Sequence, residues 1–174
     1  GIGVEPRIDL ARDAGLDCDD GVTCDRFLQA SEPHVYAIGD ICSYESVVHG
    51  GARMRIEHWD VARSQGAYVG TRIAGALDER RAYDRVPYFF SQLGDWVTMR
   101  YVGPGMGDDV VVRGSLDDAS FSAVFLDDEQ LVALLAVDHD RDLEDARELL
   151  SAHPRLDVAR LADDSIPLRE LVLG

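Results

Sequence analysis

The sequence predicts an α+β domain of antiparallel strands and helices over residues 83–174, preceded over residues 1–82 by an incomplete α/β segment. Three observations carry this reading. Five short strand-like runs, separated by turn residues, follow one another from residue 86 to residue 138. An amphipathic helix comes next, Arg141 to Ala152, with Leu143, Ala146, Leu149 and Leu150 on one face. Earlier, residues 35–38 form a continuous apolar run, as a buried parallel strand requires, and the run ends in Gly39-Asp40.

Taken in order, Gly1 to Val4 reads as the last residues of a strand, and Pro6 imposes an extended or turned backbone after it. That opening suggests a cut inside a larger protein; a disordered leftover is the alternative. Ile8 to Ala14 has apolar residues at 8, 10, 11 and 14, the spacing of a short helix, and Gly15 suits its left-handed cap. Gly21 to Asp25 is a short strand, and Ser31-Glu32-Pro33 a turn. In open α/β sheets ligands lie outside the carboxyl ends of strands, which places Gly39-Asp40 where a ligand would approach. A helix over Val61–Ala74, starting near Trp59-Asp60, carries Ala62, Gly66, Ala67 and Gly70. Each interior glycine costs a helix about 1 kcal/mol, so close packing against a neighbouring sheet is expected to offset it. The polar run Leu77 to Asp84 reads as a connection. Strands are expected at about 86–92, 95–102, 109–113, 120–126 and 130–138, the last two as a hairpin. Gly103-Pro104-Gly105 and Asp127-Asp128-Glu129 serve as turns, and Asp163 to Leu173 as a short helix started near Pro167.

Charge narrows the function classes. Seventeen arginines stand against 33 acids, which gives 17 − 33 = −16, and there is no lysine. Such a surface repels nucleic acid and anionic membranes. No apolar stretch is long enough for a membrane span, and no signal-peptide pattern opens the chain, so a cytoplasmic place is expected. Cys18, Cys24 and Cys42 form no C-x-x-C pair and read as small buried hydrophobes; a redox pair of Cys18 and Cys24 is the less favoured reading. The histidines show no metal-ligand spacing, so no metal site is expected. The acidic run from Asp138 to Asp145 reads as solvated surface. No G-x-G-x-x-G occurs.

The run Ser31-Glu32-Pro33-His34-Val35-Tyr36-Ala37-Ile38-Gly39-Asp40 resembles the second flavin-binding fingerprint of FAD-dependent pyridine nucleotide-disulfide oxidoreductases. Gly1-Ile2-Gly3-Val4-Glu5-Pro6 resembles the family segment where the NAD(P)-binding domain hands back to the FAD domain; Arg7 stands where Asn is usual. Arg55 to Gly66 and Val86 to Gly94 resemble the branch of ferredoxin reductases, rubredoxin reductases and apoptosis-inducing factor. The resemblance implies a C-terminal reductase domain preceded by the terminal segment of an FAD/NAD(P)-binding domain. It implies FAD and NAD(P)H as cofactors of the longer parent, with hydride passing to flavin N5 and electrons to an acceptor, often a small iron–sulfur protein such as a ferredoxin or rubredoxin.

By the same resemblance Asp40 would bond a ribityl hydroxyl, with Gly39 permitting the contact. His58 and Trp59 would line the pyrimidine side of the flavin ring, and Glu57 and Glu5 would lie near the nicotinamide. Phe90 stands where the family often has a flavin-packing Trp, and Gln92 replaces the usual acid. The two phosphate-cradling fingerprints are absent from these residues, so the chain by itself is expected neither to bind FAD tightly nor to turn over. The alternative is a non-catalytic interaction module, with residues 83–174 forming a homo-oligomer interface.

Overall fold

A computed structural model describes residues 3–78 and 80–174. They fall into two compact units, Gly1–Arg85 and Val86–Gly174.

The first unit is built on a four-stranded sheet of β1 (Cys18–Asp19), β2 (Gly21–Cys24), β3 (Cys42–Glu45) and β4 (Arg53–Met54), adjacent in that order. Only β2 and β3 run parallel, pairing Val22 with Cys42 and Cys24 with Tyr44. Helix α1 is Asp9–Asp13 and helix α2 is Trp59–Ile73. Gly15 takes the left-handed conformation just past α1, but of the four apolar positions there only Ile8 is buried, and Leu10 points outward. The core gathers Ile8, Val22, Cys24, Leu28, Ala37, Cys42, Tyr44, Val69 and Tyr83. Tyr83, read from the sequence as part of a polar connection, is buried instead. Its ring meets Tyr44 and Tyr68 edge-on at 5.5 and 5.6 Å, and its hydroxyl lies 2.6 Å from Ser64 Oγ. Burial pushes its phenol up to about 12.

Two expectations fail in this unit. Residues 35–38 are not a parallel strand. The place beside β2 is taken by β3, and the segment folds back on residues 28–30 around the Ser31-Glu32-Pro33 turn. Ala30 N–H donates to Val35 O at 2.8 Å and Ala37 N–H to Leu28 O at 3.3 Å, so Gln29 and Tyr36 form a single bridge. Val35 and Ile38 are left exposed. Gly39 therefore opens a short 3-10 turn, Gly39–Ile41, rather than closing a strand. Gly3 and Val4 carry no strand either; Gly1, Ile2 and Glu79 lie outside the described residues.

The second unit is a five-stranded antiparallel sheet: β5 (Tyr88–Leu93), β6 (Val97–Val102), β7 (Asp109–Ser115), β8 (Ser120–Asp127) and β9 (Gln130–Val137). Their spatial order is β5-β6-β9-β8-β7. The apolar run of β9 takes the centre, between β6 and β8. The β8–β9 hairpin closes on Asp128 and Glu129, both with positive φ, the backbone that a two-residue turn between twisted strands requires. Helix α3 (Asp140–Leu149) packs on β9 and β6, burying Leu143 and Ala146. Together with Val102, Val124, Leu134, Leu156 and Leu168 these form the core.

The acidic run at α3 is only half surface. Asp142 and Asp145 face inward and are buried. Arg113 of β7, also fully buried, grips Asp142 with Nε at 2.6 Å and Nη2 at 3.3 Å, and Ser122, its cross-strand partner on β8, donates to the same carboxylate at 2.6 Å. The guanidinium also donates to the carbonyls of Leu161 (2.5 Å), Asp163 (3.3 Å) and Ile166 (2.6 Å). Of the helix expected within Asp163 to Leu173, the structure has the part that starts at Pro167, as a 3-10 turn over Leu168–Leu171. A short helix α4 (Val158–Leu161) precedes the segment.

Gly103 has φ +123, and a Cβ there would lie 2.6 Å from Ala133 Cβ and 2.6 Å from Val132 O. Strain and clash add, so Gly103→Ala is expected to cost about 2 kcal/mol or more, read from the urea unfolding midpoint.

Candidate functional site

The Gly39-Asp40 turn lies against α2. Gly39 takes φ +70, with Ala62 Cβ 3.4 Å from where its own Cβ would be, and Ile38 reaches Gly66. Ala62 and Gly66 thus pack on the Ile38-Gly39 turn and not on a neighbouring sheet as expected, while Gly70 meets open space. The inward stripe of α2 is Val61, Gln65 and Val69. Gln65 Oε1 accepts the Gly39 N–H at 2.7 Å.

Arg55 binds the other side of the turn. Its Nη1 donates to Asp40 O at 3.0 Å and to Glu57 Oε1 at 2.6 Å, and its Nε to Asp20 Oδ1 at 2.9 Å. Its two carboxylate partners raise its pKa further. Gly21 makes the approach feasible, since a Cβ there would meet Ile41 O at 2.6 Å and Arg55 Cδ at 2.9 Å. Asp20 and Glu5 line one cavity of about 450 Å³ with Arg7 and Arg12. Glu5, Asp20, Asp40 and Glu57, distant in sequence, are in this way connected around one arginine and one cavity.

Asp40 is exposed, and its carboxylate has no partner among the described residues. Trp59 opens α2 and is 73% exposed, so it is not a core aromatic. Arg63 sits over its ring at 5.5 Å. His58 precedes the helix in extended backbone and is half-buried. Burial lowers its pKa, outweighing the opposing pull of Asp40 and Glu57. A ring titration followed by NMR is expected to place His58 below the ordinary value of about 6.5, neutral at pH 7. Phe90 belongs to the second unit, on β5 opposite Arg100, and is 61% exposed. Gln92 lies on the same strand opposite Thr98.

Sequence reasoning named Asp40, Glu57, His58 and Trp59 but passed over Arg55, Gln65 and Asp20. A signal existed for Gln65: a lone amide at four-residue spacing between Val61 and Val69. Nothing local marks Asp20 as a partner of Arg55, 35 residues away. The thiols give no Cys18–Cys24 pair. Cys24 and Cys42 are buried free thiols that share a hydrogen bond, and that hydrogen bond together with burial keeps Cys42 protonated. Among the described residues no group of His, Cys, Asp and Glu is arranged to hold a metal ion, and no helix is long and apolar enough to cross a membrane.

The exposed Asp40 carboxylate can accept hydrogen bonds from hydroxyls, and the exposed Trp59 ring offers a flat apolar face. FAD has both a hydroxyl-bearing chain and a flat ring.

Comparison with known proteins gives two family matches. Residues 1–66 match the family described as pyridine nucleotide-disulphide oxidoreductase, and residues 88–172 the one described as reductase C-terminal. The chain is 36% identical over 172 residues to the 5,5'-dehydrodivanillate O-demethylase ferredoxin reductase subunit of Sphingobium sp. (strain NBRC 103272 / SYK-6), covering 98% of this chain and 41% of that one. Among solved structures, the ferredoxin reductase for the CYP199A2 system from Rhodopseudomonas palustris aligns with TM-score 0.87 and 33% identity, over 99% of this chain and 42% of that one. The covalent putidaredoxin reductase–putidaredoxin complex aligns with TM-score 0.87 and 27% identity, over 98% and 40%. The chain thus spans about two fifths of the length of the curated relatives it matches.

Proposed function

We propose, for a chain that belongs to the pyridine nucleotide-disulphide oxidoreductases and matches their reductase C-terminal domain, that it forms part of the flavin site of an FAD-dependent NAD(P)H oxidoreductase acting in the cytoplasm. Residues 1–85 supply the flavin-sealing segment and residues 86–174 the C-terminal reductase domain, so that the buried Tyr83 belongs to the first of them and not, as expected from the sequence, to the second. The observation that carries the reading is the unpartnered Asp40 carboxylate, presented by a turn bonded on both sides, near the exposed Trp59 at the start of α2.

FAD, when bound, supplies two-electron acceptance from NAD(P)H and one-electron release to a carrier. The chain's residues bind and orient. Asp40 accepts hydrogen bonds from the ribityl hydroxyls, and Gly39 keeps the turn free of a side chain. His58 and Trp59 line the pyrimidine side, where the first N–H groups of α2 favour negative charge. Arg55 holds Glu57, which with Glu5 faces the nicotinamide. Phe90 on β5 keeps an exposed ring, as a flavin-packing residue of the family would.

The electron acceptor is a small iron–sulfur protein, as the names of the relatives suggest. With −16 on this chain and an acidic carrier, like charges slow encounter. Added salt is then expected to raise the transfer rate, read by stopped-flow mixing across ionic strengths.

The test is the visible spectrum of the complete protein carrying this sequence, before and after NADH or NADPH. Flavin bands that bleach on addition and recover with an oxidised iron–sulfur protein support the reading; a complete protein that takes up no flavin overturns it. The 174-residue chain, without the phosphate-cradling glycines, is expected to lose added FAD on desalting. A second reading, an interface between copies of the chain, rests on the edge strand β7, which exposes Val110 and Val112. A sedimenting dimer that takes no flavin would favour it.

A further inference from the structure

Gln65 occupies the middle of the inward stripe of α2, between Val61 and Val69, and is fully buried. An amide in such a place costs free energy unless both ends find partners. One end does: Oε1 accepts the Gly39 N–H at 2.7 Å. The orientation follows from chemistry, because an N–H can be met only by the oxygen of the amide. The other end does not: Nε2 has no partner among the described residues. An apolar side chain of similar volume would fill the space without that orphan donor. What only the amide oxygen supplies is the bond to Gly39.

Gly39 needs it. Its N–H opens the turn Gly39–Ile41, the extended Ile38 before it offers no side-chain cap, and Gly39 is itself buried. Without Gln65 this donor would be buried and unmet. Arg55 holds the carbonyl of the following residue, Asp40, at 3.0 Å. The turn is therefore held at two adjacent residues, by a side chain of α2 and by one that follows β4.

We propose that Gln65 is a positioning residue, whose oxygen fixes the Gly39-Asp40 turn and so the direction in which Asp40 presents its carboxylate. The consequence for cofactor binding rests on the flavin reading above; the fixing of the turn does not.

The test compares Gln65→Met, which fills the space without an acceptor, with Gln65→Glu, which keeps an acceptor oxygen. In the 174-residue chain, amide hydrogen exchange at Gly39 is expected to speed about tenfold in the Met variant and to stay near the native rate in the Glu variant. In the flavin-loaded complete protein, FAD release should speed by about the same factor with Met and be restored with Glu. A purely space-filling role would leave Met like the native protein in both readouts, and that result overturns the proposal. Should the Met variant not fold, the native chain decides. A Gly39 amide protected like those of α2 supports the bond, and one exchanging at the free rate overturns it. If the complete native protein takes no FAD, the flavin reading falls alone, and Gly39 exchange still decides the role of Gln65.

Discussion

Replacing Arg113 by Met is expected to destabilise the second unit by about 3–5 kcal/mol, because it leaves the buried Asp142 carboxylate without its partner. The guanidinium is fully buried and meets Asp142 with two nitrogens, and its remaining donors reach the carbonyls of Leu161, Asp163 and Ile166. The Met variant therefore strands one carboxylate and loosens the segment that follows α4. For a unit of this size the melting temperature should fall by more than about 10 °C. Removing the acid as well, in Arg113→Met with Asp142→Leu, should recover part of the loss but not all, since the three carbonyls stay unmet. Thermal and urea unfolding of the single and double variants measure both effects.

The pH dependence of that loss has a definite sign. Burial alone would raise the Asp142 pKa, but the hydrogen bonds from Arg113 and Ser122 outweigh it and hold the carboxyl below its ordinary range. A carboxyl depressed in the folded state contributes stability above its unfolded value of about 3.9, and the contribution is lost as pH falls through the folded value. The native unit should thus weaken in acid. In the Met variant the carboxyl, buried without its main partner, is raised instead. It then gains from protonation. The His139 ring, whose Nδ1 lies 3.1 Å away, and Arg141, 3.9 Å away, remain its neighbours. The deficit relative to the native protein should therefore shrink between pH 7 and about pH 4.5. A deficit that grows over this range would contradict the assignment of the ion pair.

Arg113 also shows where the sequence stops being legible. The five strands could be read because alternation and turn residues are local signals, and the β8–β9 hairpin is visible in Asp127-Asp128-Glu129 between apolar runs. The inward turn of Asp142 and Asp145 could not. A charge run looks the same whether it meets water or an arginine 29 residues earlier. The helix expected over 163–173 is found only from Pro167 onward, as the 3-10 turn Leu168–Leu171, where the proline is a local start signal. At residues 35–38 the apolar run was ambiguous, because a buried strand and a segment that folds back on its predecessor share that signature. In the site, Gly39-Asp40 and Glu57-His58-Trp59 stand out as contiguous motifs. Arg55 and Gln65 lay inside a quoted motif, yet their contacts span 15 and 26 residues and needed the fold to be seen.

Asp40→Ala is expected to separate function from folding. The Asp40 side chain is exposed and its carboxylate supports nothing in the chain: no donor among the described residues meets it, and only its backbone carbonyl is bonded, by Arg55. Truncating it should leave the unfolding midpoint of the 174-residue chain within about 0.5 kcal/mol of the native value. Hydrogen bonds to a charged acceptor contribute about 1.5–3 kcal/mol, so FAD affinity of the complete protein should fall about 10- to 100-fold. Asp40→Asn, which keeps an acceptor oxygen but loses the charge, should lie between the two. Equilibrium dialysis of FAD alongside urea unfolding reads both quantities on the same variants. A loss of affinity without a loss of stability ties Asp40 to the cofactor. Equal FAD affinity in all three proteins would remove the observation on which the flavin reading stands, because no other side chain in the turn is free to take a ribityl hydroxyl.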